Sequence, residues 1–147
     1  MAYADGFLIP VPTKNLDAYR KMSEKAGKVW MEYGALDYKE CAGDDMTAEG
    51  ATFPKTLVTK KTETVVFSWI VYKDKAHRDA VLKAVMADPR LAGMQGDDMP
   101  FDPKRMLYGG FSVIVDMNPF AAPKKTAKKA APKKAAVKKK AAKRARG

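Results

Sequence analysis

The chain has 147 residues, a length typical of one domain, and a formal net charge of +11. Residues 121–147 hold twelve of the 28 Lys and Arg and no acid, so residues 1–120 combine 16 bases with all 17 acids. One cysteine, Cys41, excludes an intrachain disulfide, and no apolar run approaches the roughly 20 residues that a membrane span needs. We therefore expect a near-neutral body over 1–120 and a basic tail over 121–147, in the cytoplasm or at the nucleoid.

The body begins with a predicted strand and a predicted helix. Alternation over 3–11 predicts a strand, and Pro10 and Pro12 are expected to end it because neither offers a backbone N–H. Apolar residues at spacings of three and four predict a helix over 14–33, and Gly34 is expected to end it. The candidate N-caps of this helix are Thr13 and Asn15.

The next segments have weaker patterns. Gly27 lies inside the predicted helix, where it costs about 1 kcal/mol relative to alanine unless it permits close packing on the sheet. Residues 35–42 predict a second strand, which the Gly-Asp-Asp run at 43–45 ends. Residues 53–59 predict an irregular edge segment, since Pro54 cannot donate to a central ladder.

The longest run of strand-forming residues, 64–72, predicts a central strand. Its even positions are mixed in polarity, which is typical of a strand with one face under helices and the other partly covered. Its odd positions are all apolar: Val65, Phe67, Trp69 and Val71.

A second helix and a last strand complete the body. Asp74 is expected to cap a helix over 75–87, and a strand is expected over 104–117. The adjacent Gly109 and Gly110 predict a bulge or a close backbone approach in that strand. The inner stripe of the helix is predicted to comprise Ala80, Val81, Ala84 and Val85, with His77 and Asp88 beside it.

This order of elements predicts an α+β fold of the ferredoxin-like split βαβ type, with an antiparallel sheet and both helices on one face. The second face of such a sheet is bare. The simplest partner for a bare apolar face is a second copy of the chain, so a homodimer is expected. The residues assigned to the bare face are Val66, Ile70, Tyr72, Tyr108 and Ile114.

Several blocks of the sequence also resemble one known family. These blocks are DGFLIPVPTKNLDAYRKMSEKAGKVWMEYGAL, ETVVFSWIVYKDKAHRD, VMADPRL, DDMPFDPKRM and YGGFSVIV. Over nearly all of 1–116 the chain is similar to the YbaA-like family of small bacterial proteins of unknown function. The resemblance implies a dimeric α/β barrel, in which two ferredoxin-like sheets close on each other, and it supplies no catalytic residues. The tail departs from the family pattern.

A pocket between the sheet and its coverings is the alternative site of function. His77 is the only histidine, so multi-histidine metal sites are excluded. Acid–base chemistry by His77 with Asp74 or Asp79 competes with a structural role, a partly buried helix residue bonded to the preceding loop, which we favour. By analogy with cofactor-free monooxygenases of the same barrel class, an enzyme or ligand carrier would use such a pocket. The candidate pocket residues are His77, Trp69, Tyr72 and Asn15.

No metal site and no cofactor are expected. The acidic pairs at 44–45 and 97–98 lack the spacing of a calcium loop and are interpreted as solvated loop charge. Cys41 has no cysteine neighbour with which to form a redox motif.

The tail predicts a nucleic-acid partner. It repeats Pro-Lys-Lys and Ala-Ala-Lys-Lys, contains no aromatic residue, and is expected to be disordered when free. Its composition resembles the lysine-rich tails of linker histones, and we expect it to bind DNA or RNA phosphates without sequence preference. A solubilising tail or a surface for anionic lipid is the alternative. The predicted binding residues are Lys124, Lys125, Lys128, Lys129, Lys133, Lys134, Lys138, Lys139, Lys140, Lys143, Arg144 and Arg146.

Overall fold

The computed structural model describes residues 1–94, 96 and 98–118, and its elements follow a βαββαβ order with one extra short helix. The chain divides into Met1–Ile114 and Val115–Gly147, and the fold described below is that of the first unit. The predicted tail lies outside the described residues. The elements are β1 (Tyr3–Pro12), α1 (Leu16–Glu32), β2 (Asp37–Ala42), α2 (Phe53–Thr56), β3 (Glu63–Tyr72), α3 (Lys75–Ala87) and β4 (Leu107–Ser112), with 3-10 turns at Thr13–Asn15, Pro89–Leu91 and Pro103–Arg105.

The four strands form one antiparallel sheet in the order β2-β3-β1-β4. Strands that are neighbours in this sheet are mostly not consecutive in the chain, and the long helices α1 and α3 connect β1 to β2 and β3 to β4. This is the ferredoxin-like α+β fold, which confirms the predicted fold class. Residues of α1 and α3 pack in one cluster with Ile70 and Tyr72 of β3, so both helices cover the same face of the sheet. That face holds the hydrophobic core. The opposite face is open except at the start of β3, where Val65 is buried and Phe53 of α2 stacks on Phe67.

The prolines of β1 lie within the strand, whereas the sequence predicted that they would end it. The N–H of Thr13 donates to the carbonyl of Thr62 at 2.8 Å, so by strand alternation Pro10 and Pro12 face away from β3. On that side β4 pairs with β1 only from Leu107 onward, opposite Leu8, and leaves both prolines beside an open edge. No ladder hydrogen bond is therefore lost at either proline.

The segment at 53–59 contains a short helix, α2, in place of the predicted irregular edge segment. Pro54 occupies the first turn of α2, where a missing N–H is tolerated, and the hydroxyl of Thr52 accepts from the N–H of Lys55 at 3.5 Å. The last strand is also shorter than predicted. Pro103–Arg105 forms a 3-10 turn capped by Asp102, so β4 begins only at Leu107.

Helix α3 has the predicted bounds, and its inner stripe is confirmed in large part. The carboxylate of Asp74 accepts from the N–H of His77 at 2.7 Å and caps the helix as predicted. Val81 and Val85 are buried against the sheet. Ala80 is exposed, so its assignment to the stripe is wrong.

The two faces of β3 are the reverse of the prediction. Val66, Ile70 and Tyr72, assigned to the bare face, are buried under the helices. Tyr108 also belongs to the helix-facing side, since it pairs with Phe7, and is exposed because β4 is an edge strand. Ile114 lies beyond the end of β4. The open face instead carries Phe67, Trp69, Leu107 and Phe111. The pairing of β3 and β4 with β1 places these four side chains on the same side of the sheet.

Three glycines fulfil specific structural requirements. Gly34 has a φ of +104° and ends the first helix as predicted. A Cβ on Gly110 would overlap the hydroxyl oxygen of Tyr3, so the neighbour there is a side chain and not the backbone that was predicted, and the unbroken pairing of β4 with β1 shows no bulge. A Cβ on Gly27 would lie 2.9 Å from the ring of Tyr38 on β2. Gly27 therefore lets α1 pack closely on the sheet.

Replacement of Gly27 by alanine is expected to lower the free energy of unfolding by about 1–2 kcal/mol, because the ring of Tyr38 must move. At an exposed helix position the same change would stabilise by about 1 kcal/mol. Urea unfolding of the wild type and the variant measures whether the free energy of unfolding falls or rises. The control introduces Gly27→Ala into a Tyr38→Leu background, where the ring is absent and the alanine should no longer destabilise. A stabilising effect in both backgrounds would contradict the packing role of Gly27.

Candidate functional site

A cleft of about 900 Å³ lies between α1 and β2 on the helix-covered side of the sheet. Helix α1 contributes one wall and β2 the other, and Val66 of β3 contributes to the lining. Its volume is within the range of small-molecule pockets, roughly 300–1,000 Å³. The groups at its base are Tyr19, Ser23, Tyr38 and Glu40.

Glu40 is held at the base of the cleft by two phenols. The hydroxyl of Tyr19 donates to Oε2 of Glu40 at 2.7 Å, and that of Tyr38 donates to Oε1 at 2.9 Å. Tyr19 comes from α1 and is buried, whereas Tyr38 precedes Glu40 by two residues on the same face of β2. Buried Ser23 and Ser68 also favour the ionised carboxylate. The cluster thus joins α1, β2 and β3.

The protonation states of the cluster follow from its burial. Loss of hydration raises the pKa of Glu40 above its ordinary 4.5, although the hydrogen bonds from the phenols oppose this shift. Burial, together with the neighbouring Glu40, raises the pKa of Tyr19 and that of Tyr38 far above the ordinary 10.0. The two phenols therefore remain protonated donors, and each carboxylate oxygen of Glu40 accepts from one of them.

The charges at the rim of the cleft are paired with each other, but Glu40 is not paired. Lys39, the residue before Glu40 on β2, forms an ion pair with Asp37 on the opposite face of the strand. Within the described residues, no lysine, arginine or histidine forms an ion pair with Glu40. Along α1 the rim pairs are Arg20–Asp17 at 3.1 Å, Arg20–Glu24 at 3.5 Å, Lys21–Asp17 at 2.9 Å and Lys28–Glu24 at 3.3 Å.

Sequence reasoning did not identify this cluster. Strand β2 had a weak pattern, and its alternation of Tyr38, Glu40 and Ala42 on one face was the available signal. A glutamate between tyrosine and alanine on a helix-facing strand side is a buried carboxylate that needs donors. Tyr19 is one of the residues whose spacing of three and four predicts the apolar stripe of the first helix, and it does face the sheet, but that spacing says nothing of a partner for its hydroxyl.

His77 is tied to the backbone of the preceding loop. Its Nδ1 accepts the N–H of Lys73 at 3.1 Å, and its ring lies edge-on to that of Tyr72, 6.2 Å away. The carboxylate of Asp74 accepts the N–H of residue 77, and that of Asp79 pairs with Lys75 at 2.8 Å. These contacts agree with the structural role favoured from sequence for His77.

The other predicted pocket residues do not meet in one pocket. Nε1 of Trp69 donates to Asp37 at 3.2 Å on the open face of the sheet. The hydroxyl of Tyr72 lies on the opposite face, where Nε1 of Trp30 donates to it at 3.1 Å. Nδ2 of Asn15 donates to the carbonyl of Pro100 at 3.1 Å, beside a second cavity of about 490 Å³. Only His77 and Tyr72 of the predicted set are neighbours.

A second polar cluster lies under α3. The carboxylate of Asp5, a residue 8% exposed, is 3.6 Å from Nε of Arg78. Nη2 of Arg78 donates to the hydroxyl of Tyr3 at 3.3 Å, and the guanidinium lies 5.0 Å from the centre of the same ring. Loss of hydration raises the pKa of Asp5 above 3.8, while Arg78 acts to lower it. This cluster is a buried ion pair and does not line either cavity.

The side chains considered from sequence as metal ligands or as a reactive thiol lie apart in the described part of the chain. Among those residues no three His, Cys, Asp or Glu side chains come together as metal ligands. The carboxylate of Asp45 accepts from the backbone and hydroxyl of Thr47 in a local turn. Cys41 is exposed on the open face, opposite Phe67.

No helix in the described ranges is long and apolar enough to cross a membrane.

Comparison with known proteins gives a family match and a shared fold. The family described as "Protein of unknown function (DUF1428)" matches residues 2–103. "Uncharacterized protein YbaA" of Escherichia coli K12 is 45% identical over 117 residues, which cover 79% of this chain and 99% of that protein. The structure of Rv0793 from Mycobacterium tuberculosis aligns with a TM-score of 0.50 at 13% identity, over 80% of this chain and 99% of that one. That similarity shows the fold alone.

Proposed function

The chain belongs to the DUF1428 family of proteins of unknown function, and from its own residues we propose a homodimer whose basic tails bind nucleic acid through phosphates. The observation that carries the proposal is the separation of charge along the chain. Residues 121–147 contain twelve cations and no acid, whereas residues 1–120 are close to neutral. Such a segment attracts polyanions by charge alone and releases their counterions on binding.

The tail composition also sets the kind of recognition. Ten of its twelve cations are lysines, which bind phosphate as point charges, and it has no aromatic side chain for base stacking. Binding is therefore independent of sequence and strongly dependent on salt. DNA and RNA both present this phosphate charge, and the tail contains nothing that distinguishes them.

The open sheet face supports the dimer. Phe67, Leu107 and Phe111 on this face are 44%, 52% and 60% exposed, so three large apolar side chains face solvent in the monomer. A second copy that packs face to face would bury them. Two tails on one dimer would raise affinity about a hundredfold or more if both reach the same nucleic acid.

Removal of residues 121–147 is expected to abolish nucleic-acid binding. Gel shifts with a random DNA duplex and a structured RNA, at a series of salt concentrations, compare the full chain with 1–120. If about six phosphates are neutralised, log K for the full chain falls with log salt at a slope near −5. The truncated chain should give no shift at the same concentrations.

A matched control keeps the tail length and removes its charge, with each lysine and arginine replaced by glutamine. This variant should behave as the truncation does. Equal binding by the full chain and by 1–120 would place the site in the body. Absence of binding by the full chain at low salt would refute the proposal.

The cleft between α1 and β2 favours a second candidate function, the binding of a small molecule. The specific observation is a carboxylate without a cation partner at the base of a cleft of about 900 Å³. The residues that would act there differ from the monooxygenase-like set predicted from sequence. Asn15 and Trp69 are engaged elsewhere, and Glu40 with its two phenols takes their place.

A further inference from the structure

We infer that the cleft between α1 and β2 binds an organic cation, a protonated amine on an aromatic or apolar body, with Glu40 as its counter-charge. The inference rests on the ligand-binding function proposed for the cleft and adds the chemical class of the ligand. It is independent of the tail.

The first argument is the charge balance inside the cleft. Glu40 accepts hydrogen bonds from Tyr19 and Tyr38, but these donors are neutral and leave its charge uncompensated. A desolvated carboxylate is stabilised most by a cation in hydrogen-bond contact. Arg20 and Lys28 at the rim are paired with rim acids, and Lys39 is paired with Asp37 on the other face of β2, so none of the three supplies this cation. The missing charge is thus complementary to an amine.

The second argument is the chemistry of the walls. Both tyrosine rings line the cleft, and aromatic faces attract ammonium groups by cation–π interaction. Trp30 packs against Tyr38 at 6.3 Å, ring centre to ring centre, and so helps to hold that ring in place. Gly27 contributes no side chain to its part of the lining. A cation at Glu40 would therefore contact a carboxylate and aromatic rings together.

The third argument concerns the rest of the ligand. Leu16, Met31, Ala42 and Val66 supply apolar surface to the cleft. Because the rim acids and bases neutralise each other, the entrance neither favours nor rejects a charged ligand strongly. An apolar body would bury its surface on these side chains, and the single charged group would select the orientation.

The test uses three probes with the same phenyl body and different heads: protonated 2-phenylethylamine, neutral 2-phenylethanol and anionic 3-phenylpropionate. Titration calorimetry or ligand-detected NMR with the full-length protein at about pH 7.5 gives their affinities. The amine is expected to bind about tenfold more tightly than the alcohol, since a charge-assisted hydrogen bond contributes more than a neutral one. The carboxylate probe is expected to bind least.

Glu40→Gln keeps the side-chain shape and removes the charge, and Glu49→Gln, at an exposed loop position, is the matched control with the same change in net charge. Glu40→Gln should reduce amine affinity about tenfold and leave alcohol affinity within about twofold. Glu49→Gln should change neither. If Glu40→Gln does not fold, the preference of the wild-type protein for amine over alcohol decides the question by itself.

Two different negative results separate this inference from the function on which it rests. Equal affinity for all three probes, unaffected by Glu40→Gln, would overturn the cation inference and leave a ligand site. Absence of binding by every probe would overturn both the inference and the ligand-binding function of the cleft.

Discussion

Replacement of Phe111 by glutamate is expected to dissociate the proposed homodimer into monomers at micromolar concentration. Phe111 lies on β4 at the open face and is 60% exposed, so the substitution disturbs the monomer core little. In a face-to-face dimer the new carboxylate would be buried without a partner. A cost of about 3 kcal/mol would raise the dissociation constant at least a hundredfold. Sedimentation equilibrium or light scattering after size exclusion measures the change.

Tyr108→Glu is the matched control for this prediction. Tyr108 lies on the same strand, is 75% exposed, and belongs to the helix-facing side of the sheet because it pairs with Phe7. The Tyr108→Glu substitution should leave the proposed dimer intact, since it introduces the same charge outside the proposed interface. A wild-type protein that is monomeric at high concentration would refute the dimer, and so would a Phe111→Glu protein that stays dimeric.

Loss of the nucleic-acid avidity should accompany loss of the dimer. The Phe111→Glu protein keeps its tail, so it should still bind, with a weaker affinity and a smaller salt slope per particle. Gel shifts of this variant therefore test whether dimerisation through the open face strengthens nucleic-acid binding by the tail. Unchanged affinity in a confirmed monomer would show that one tail suffices and that the dimer has another purpose.

Arg78→Met is expected to lower the free energy of unfolding by about 2–4 kcal/mol at pH 7, because it leaves Asp5 buried without its cation. Burial already raises the pKa of Asp5 above 3.8, and removal of Arg78 should raise it further. A carboxyl whose folded pKa is raised contributes stability below its unfolded pKa, and that stability is lost as pH rises through the folded value. The deficit of the variant should therefore grow between about pH 4 and pH 7.

Urea unfolding of wild type and variant across this range measures the deficit. The groups that face Asp5 are Arg78, the hydroxyl of Tyr72 and the carboxylate of Asp79, and Asp79 retains Lys75 in the variant. The double variant Asp5→Asn with Arg78→Met removes the buried charge, so it should recover most of the stability and show no extra pH dependence. A deficit of the same size at pH 4 and pH 7 would contradict the role of the ion pair.

The faces of β3 illustrate why an accurate element prediction did not identify the core. Its bounds were predicted within one residue, but apolar residues occupy both sides of the strand: Phe67 and Trp69 on one, Val66, Ile70 and Tyr72 on the other. Strand alternation selects a face only when one side is polar. The choice was decided by the helices, whose own apolar stripes meet the even positions through Val29, Val81 and Val85.

Glu40 illustrates the same limit for the candidate site. The residues that make its environment come from positions 19, 23, 38 and 68 and have no common spacing in the chain. The sequence predicted a strand there but no buried charge. Conversely, His77 and Asn15, which were candidate pocket residues in the sequence, use side-chain nitrogen atoms to hydrogen-bond backbone groups of loops.

Local signals in the sequence determined the order of the elements, the bounds of α3 with its Asp74 cap, the end of α1 at Gly34 and the charged composition of the tail. These depend on neighbours in the chain, through capping, backbone conformation and net charge. Tertiary structure alone decided which face of β3 is covered, how Gly27 admits Tyr38, and that Glu40 meets two phenols. Those properties depend on how α1 lies across the sheet, and long-range packing sets that arrangement.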